Sequence, residues 1–441
     1  MKFPVCFIPM VRRVITCVGL VAASYCSVSA QSGTWSGKLD VGGTQLPLVF
    51  HLDGDSPTLD SPAQGARGIA VQVESPVTGV INIKIPSIGA TFDGIWAGKT
   101  VYGTFKQMGV SMPLTLTPGE DKPTRPQTPV APFPYTQEEV EFANGDALLK
   151  GTLVLPEGAN RKTPVIIMVT GSGLQNRDEE LFEHRPFAVI ADALARAGIA
   201  TLRYDDRGYG ESTGDVSLST TEDFKNDALA GVELLRNRFD RVGVLGHSEG
   251  GQIALMIAAE GKCDFIISLA GCVVSGKETL LLQNRTALQD NNLSNDIVDA
   301  YCKLLSEAFD ASANGYPLPS ADGVDIPEAL KQNYQAVVAQ LRSPYLSYFV
   351  QLDMRPRLST IKCPVLALNG TKDKQVDADT NLGALRSGLS SNPQTRIESC
   401  DGLNHLFQHC TTGDVAEYSI IEETFSTDIL NTIAQWIQSL K

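Results

Sequence analysis

Histidine is scarce in this chain: there are five in 441 residues, at positions 51, 184, 247, 405 and 409. Chemistry that needs an imidazole therefore has few places to occur. Cationic residues are in deficit too, with 36 Lys and Arg against 50 Asp and Glu and a formal net charge of −14. Such an acidic balance argues against nucleic acid and anionic membrane surfaces as partners. No Cys-x-x-Cys pair and no Cys/His spacing of a zinc site is present, so neither a metal nor another cofactor is expected. The apolar stretch Val14–Tyr25 is too short for a membrane span. It follows Arg12 and Arg13 and leads to Val28-Ser29-Ala30, with small residues where a signal peptidase reads them. Residues 1–30 thus read as a signal peptide. The mature chain is expected in the periplasm or outside the cell, with no stable membrane span.

Six of the nine cysteines lie beyond Ala30, at 263, 272, 302, 363, 400 and 410. An even number in an exported chain permits disulfides, but connectivity is not readable from spacing. Cys400 and Cys410 bracket a loop that carries two of the five histidines, and a bond between them is one reading. Buried free thiols are the other, since Cys263 and Cys363 each open an apolar strand.

The length suggests two or three domains. Residues 31–117 read as an all-β domain, with short alternating runs at 46–52, 69–73, 80–85, 100–105 and 112–116. Gly33-Thr34-Trp35 before Leu46-Pro47-Leu48 is echoed by Gly103-Thr104-Phe105 before Met112-Pro113-Leu114, which suggests two similar hairpins. Trp35 and Trp96 are either core aromatics or a ligand surface such as a glycan-binding face. Prolines crowd residues 118–134, the composition of a stiff linker. From 135 to 441 the pattern changes. A hairpin around Asn144-Gly145-Asp146 is followed by strands at 165–169, 199–204, 242–245, 265–270, 365–369 and 395–399. Helices at 186–196, 221–237, 250–259, 378–389 and 426–440 separate them. Strands alternating with helices imply a mostly parallel sheet covered on both faces. Residues 274–357 interrupt this alternation and are helical, with Ile297, Tyr301, Leu304, Leu305 and Ala308 on one face. An insertion after a sheet strand sits where ligands bind in open α/β folds and is a candidate lid. Its Tyr345, Tyr348 and Phe349 are candidate pocket walls.

Gly246-His247-Ser248-Glu249-Gly250 lies between an apolar strand and an apolar helix. Glycines two before and two after let strand and helix approach closely, so the serine stands out at the apex of a strained turn. The plainer reading is a βα turn whose serine caps a helix. A serine hydroxyl attacks only with a base to take its proton and an acid to orient that base. In folds with such a turn the chain order is serine, acid, histidine, which leaves His405 and His409. His405 is preferred, because Asp401-Gly402-Leu403-Asn404-His405 directly follows the last strand. Asp373, in the turn after strand 365–369, is the preferred acid over Asp377 and Asp379. His247 is expected to pack or hydrogen-bond locally. The backbone N–H of Glu249 and one from Thr170-Gly171-Ser172-Gly173, Ser172 before Gly173, would hold an oxyanion. Arg177, Asp178 and Glu179 either contact substrate or pin this loop by ion pairs. The run Asp205 to Ser212 reads as a fixed turn.

These motifs resemble those of secreted bacterial carboxylesterases of the α/β-hydrolase superfamily that carry an extra N-terminal β domain. The residues concerned are Gly171-Ser172-Gly173 with Arg177-Asp178, Asp205 to Ser212, the turn at Ser248, Leu368 to Asp373, and Leu403 to Gln408. The N-terminal part, with Gly33-Thr34-Trp35 and Pro86-Ser87-Ile88-Gly89, looks like that group's β domain. The resemblance implies an α/β-hydrolase fold with a helical lid. It also implies hydrolysis of small-molecule carboxylic esters, usually with short acyl chains, through an acyl-serine and without metal. Serine aminopeptidases and acyl-peptide hydrolases share the turn, so the leaving group is the less determined part.

Overall fold

Alternating apolar residues build the first unit. In a computed structural model of the chain, residues 33–440 are described, apart from 42–43, 55, 63–65, 108 and 121–123; the expected signal segment lies outside them. Two compact units emerge. One holds the described residues up to Thr124 together with Val415–Glu422, and the other holds Arg125–Asp414 and the residues from Glu423 onward.

The smaller unit is one antiparallel sheet of nine strands: β1 (Thr34–Val41), β2 (Thr44–His51), β3 (Thr58–Ser61), β4 (Ala66–Ala70), β5 (Gln72–Glu74), β6 (Val80–Ile85), β7 (Ala90–Ala97), β8 (Thr100–Gln107) and β9 (Val110–Pro118). Their order is β4-β3-β2-β1-β9-β8-β7-β6-β5. The two edge strands, β4 and β5, are separated in sequence only by Val71, so the sheet curls until its edges meet. Inside the curl, Phe50, Ile81, Ile83, Phe92 and Leu116 are buried. The echoed motifs are hairpins: β1 pairs with β2 and β8 with β9. β7 escaped the sequence pattern because its alternation is broken, with Gly94 turned inward and Ile95 outward. Trp35 is buried and meets Trp96 edge to face at 4.7 Å, so the pair belongs to the core.

The larger unit opens with β10 (Tyr135–Asn144) and β11 (Ala147–Pro156), an antiparallel hairpin that turns at Gly145-Asp146. Then come β12 (Val165–Val169), α1 (Pro186–Arg196), β13 (Ala200–Tyr204), α2 (Thr221–Arg236), β14 (Val242–His247), α3 (Glu249–Ala259) and β15 (Phe265–Leu269). Helices α4 (Gly276–Asp290), α5 (Asn295–Ala313), α6 (Glu328–Leu341) and α7 (Pro344–Phe349) form the insertion. The chain closes with β16 (Val365–Gly370), α8 (Ala378–Gly388), β17 (Arg396–Cys400) and α9 (Thr427–Ser439). The sheet order is β10-β11-β13-β12-β14-β15-β16-β17, parallel from β13 onward. This is an α/β-hydrolase fold.

Strand side chains alternate between two cores. Val165, Ile167 and Val169 pack with α2, α3 and α8, whereas Ile166 and Met168 pack with α1 and α9. Apolar residues on both faces are what a sheet covered on both sides requires. The insertion has its own core, which contains Tyr301, Leu304, Leu305 and Ala308 of the face read from the sequence; Ile297 is only partly buried against it, and the neighbouring Val298 is fully buried. The later half of the Pro-rich segment is fastened down. Gln127 donates to the Phe425 carbonyl at 2.7 Å and accepts from the Thr424 N–H at 2.6 Å.

Chain direction reverses around β12: the chain goes to β13 on one side, then returns to β14 on the other. The crevice at the C-terminal ends of β12 and β14 is the switch point where ligands bind in such sheets. For the smaller unit, Phe92→Ala removes a fully buried ring. It is expected to cost about 3–5 kcal/mol, read as a lower midpoint in urea unfolding.

Candidate functional site

β14 ends at His247 and α3 starts at Glu249, so Ser248 alone makes the turn, at φ 56° and ψ −118°. A serine at positive φ is strained and persists only where its surroundings hold it. They do: the Ser248 N–H donates to the Leu269 carbonyl at 2.8 Å. A Cβ at Gly246 would collide with the Gly250 carbonyl, and one at Gly250 would collide with the carbonyls of Val169 and Thr170. A Cβ at Gly171 would lie 3.2 Å from that of Ser248. The loop after β12 therefore lies directly against the serine.

His405 follows β17, on a loop held by Asn404. The buried Asn404 amide oxygen accepts from the N–H groups of Leu406 and Gln408, both at 3.0 Å. The His405 Nδ1 lies 2.7 Å from Asp373 Oδ2, with the side chains 5% and 0% exposed. The other Asp373 oxygen accepts from the N–H groups of Gln375 and Val376, at 2.8 and 2.9 Å. The competitors lie elsewhere. Asp377 caps α8 through the Thr380 N–H, and Asp379 is exposed. His409 is exposed and paired with Glu423 at 2.8 Å. His184 is buried between Thr424 and Gln408, and His51 lies in the smaller unit beside Asp60. Cys400 and Cys410 are not bonded to each other, and the Cys410 thiol donates to the Gly402 carbonyl.

Glu179, read from the sequence as contacting substrate or pinning this loop, holds the loop, through partners that the sequence did not name. Its buried Oε1 accepts from the Gly171 N–H at 2.7 Å and lies 3.0 Å from His247 Nδ1. The other His247 nitrogen lies 2.9 Å from the His405 carbonyl oxygen. Burial, the largest single influence, lowers the His247 pKa, but the Glu179 charge and hydrogen bond, the His405 carbonyl and the Asp373 charge together outweigh it and the net shift is upward. With the Gly171 N–H engaged by Glu179, the N–H groups next along this loop, at Ser172 and Gly173, face no such competition. The Glu249 N–H opens α3, where helix donors lack an intrahelical partner.

Arg177 and Asp178 are engaged within the chain. Arg177 pairs with Asp205 at 2.9 Å, Glu139 at 2.6 Å and Glu211 at 2.5 Å. Asp178 pairs with Arg203. Burial opposes ionisation of Asp205, yet Arg177 and the N–H groups of Glu211 and Arg177 hold its pKa below the ordinary value. Ser212 donates back to the Asp205 carbonyl at 2.7 Å, closing the turn read from the sequence. Asp206 accepts from Thr170 and the Gln175 N–H, but burial drives its pKa well up. A small cavity lies against the loop after β12, lined by Gly171, Gly173, Asp206, Phe224, Glu249 and Ile253 among others.

The Glu249 side chain was not singled out by its position after the serine. It is buried and accepts from Thr221 at 2.7 Å and from the Tyr345 hydroxyl of α7. The same helix sends Tyr348 to Glu222 at 3.3 Å, while Phe349 is buried in the insertion's own core. Among the described residues, no three His, Cys, Asp or Glu side chains are grouped to hold a metal, and no helix is long and apolar enough to cross a membrane.

Burial raises the Glu249 pKa above its ordinary 4.5. The folded protein thus holds this proton more tightly than the unfolded chain. The resulting stability is complete below about pH 4.5 and is lost as pH rises through the raised value. Glu249→Gln is expected to flatten that part of the stability–pH curve, measured by urea unfolding at a series of pH values.

Residues 144–394, more than half of the chain, match the X-Pro dipeptidyl-peptidase (S15) family. The matched span includes Ser248 and Asp373 and ends before His405. The esterase EstD of Thermotoga maritima is 28% identical over 263 residues, covering 58% of this chain and 58% of that protein. The chain thus spans less than two thirds of that relative. A 31.7 kDa Escherichia coli protein encoded between traX and finO is 25% identical over 309 residues, 65% of this chain and 94% of its own. Among solved structures, an esterase of Pyrococcus furiosus aligns with 73% of this chain and 98% of its own at 17% identity, with a TM-score of 0.44. Because the family match covers the sheet from its hairpin through the turn at Ser248 and on past α8, the chain belongs to the X-Pro dipeptidyl-peptidase (S15) family.

Proposed function

We propose that this chain is an exported serine hydrolase that cleaves small carboxylic esters with short acyl groups through an acyl-serine intermediate. The observation that carries this reading is the buried Asp373–His405 pair, 2.7 Å apart, on loops at the same sheet edge as the strained Ser248. Asp373 has both oxygens engaged, so it can hold His405 with Nδ1 protonated and Nε2 bare. In this mechanism His405 Nε2 takes the Ser248 proton while Ser248 Oγ bonds to the ester carbonyl carbon. The N–H groups of Glu249 and Ser172, with Gly173 beside it, stabilise the oxyanion. Collapse breaks the carbon–oxygen bond to the alcohol, which leaves with the proton from His405. Water then repeats the sequence on the acyl-enzyme, His405 taking its proton and returning one to Ser248. The preference for short acyl groups rests on the resemblance of the sequence motifs to those of secreted carboxylesterases. Export rests on the pattern of residues 12–30.

The family's name makes a peptidase the second reading. An enzyme that trims free N-termini needs carboxylates open to a substrate amine. The acids of the insertion that could serve, Glu278 and Asp353, both pair with Arg355, at 3.0 and 2.6 Å. That neutralisation favours the ester. A fluorophosphonate is expected to label Ser248, and Ser248→Ala to lower ester turnover by roughly 10⁴-fold or more. An adduct on another residue, or intact turnover in the variant, would overturn the assignment. Matched substrates decide the leaving group: kcat/KM for an alkyl ester should exceed that for the corresponding aminoacyl amide, and the reverse order would establish the peptidase.

A further inference from the structure

Both ring nitrogens of His247 face oxygens that can only accept. Nδ1 lies 3.0 Å from the Glu179 carboxylate and Nε2 lies 2.9 Å from the His405 carbonyl oxygen. A neutral imidazole has one N–H and would set a lone pair against one of those oxygens; the imidazolium donates to both. Water cannot relieve a mismatch, because the His247 and Glu179 side chains are only 8% and 5% exposed. A buried charge persists when it is paired and hydrogen-bonded, as this one is.

We propose that His247 is a positioning residue that stands as an imidazolium between Glu179 and His405 and fastens the oxyanion loop, the serine turn and the base loop into one unit. The Glu179 oxygen that faces His247 also accepts from Gly171, at the start of the oxyanion loop. Glu179 itself is held at φ 54°, a strained backbone that the same contacts sustain. The His247 and His405 rings lie 4.6 Å apart, and Phe407 meets His247 edge to face at 6.5 Å. The charges that bear on His247 are those of Glu179 and Asp373, with His405 beside it. Fastened in this way, the base loop is held against the serine turn that it serves. This consequence rests on the proposed roles of Ser248 and His405; the charge state of His247 does not.

Nitrogen-15 NMR of the histidine-labelled full chain tests the charge. One imidazole should keep both nitrogens protonated from pH 6 to 9, and its signals should vanish in His247→Gln. A bare nitrogen on that ring at pH 7 would overturn the proposal. Kinetics test the fastening. Glu179→Gln keeps an acceptor for Gly171 but removes the charge that sustains the imidazolium. It should lower kcat roughly 10- to 100-fold with KM nearly constant. Unchanged kcat, or a loss confined to KM, would sink the positioning role. Fluorophosphonate labelling of the wild type separates the two readings. If Ser248 is not labelled, the hydrolase assignment fails, and the NMR result still decides the charge of His247.

Discussion

The site depends on a place where backbone packs against backbone with no room for a Cβ. Gly246 meets the Gly250 carbonyl, Gly250 meets the carbonyls at the end of β12, and Gly171 lies against Ser248 and the His247 carbonyl. Larger residues at these points would push α3 away from β14, or the loop after β12 away from both. The strained φ of Ser248 follows from that closeness, as does the approach of the loop after β12 to its side chain. Hydrophobic burial supplies the force that holds it. Val165 to Val169 and Val242 to Leu245 are buried on both faces of the sheet, so the strand ends cannot drift apart.

Around this contact the chain buries several carboxylates and gives each a different partner. Asp373 is bound to His405, Glu179 to His247, and Asp205 to Arg177. Asp206 and Glu249 have only neutral donors, so burial raises the pKa of both. One acidic neighbourhood thus contains groups suited to stay charged and groups suited to stay neutral. Between Asp205 and Asp206 the difference is that the Arg177 cation faces one and only neutral donors face the other, not the residue type.

The insertion is joined to this arrangement by its last helix. Tyr345 reaches Glu249 beside the serine, and Tyr348 reaches Glu222 on α2. A residue whose N–H is proposed to stabilise the oxyanion therefore also anchors the lid through its side chain. Displacing α7 would leave the Glu249 carboxyl buried with Thr221 as its remaining donor, an arrangement that costs free energy. The lid position and the turn at Ser248 are in this way coupled by one hydrogen bond.

Local pattern was enough for much of this protein. Alternation and helical periodicity placed the parallel strands of the larger unit and the helices between them to within a residue or two, because both cores repeat along the chain with the pleat and the helical turn; of the insertion they gave its helical character but not the bounds of every helix. The glycine spacing around Ser248 was legible because close packing admits only glycine there. Chain order reduced five histidines to two, and the strand-end positions favoured His405 with Asp373, the two side chains that now lie 2.7 Å apart. Strand β7 was missed where an inward glycine and an outward isoleucine break the alternation. Tertiary structure alone decided the links between loops. His247 meets Glu179 across 68 residues of sequence and His405 across 158, and Tyr345 meets Glu249 across 96. No periodicity connects such positions. Their meeting depends on where each strand ends at the sheet edge, and that is set by strand order and register, which no single segment encodes.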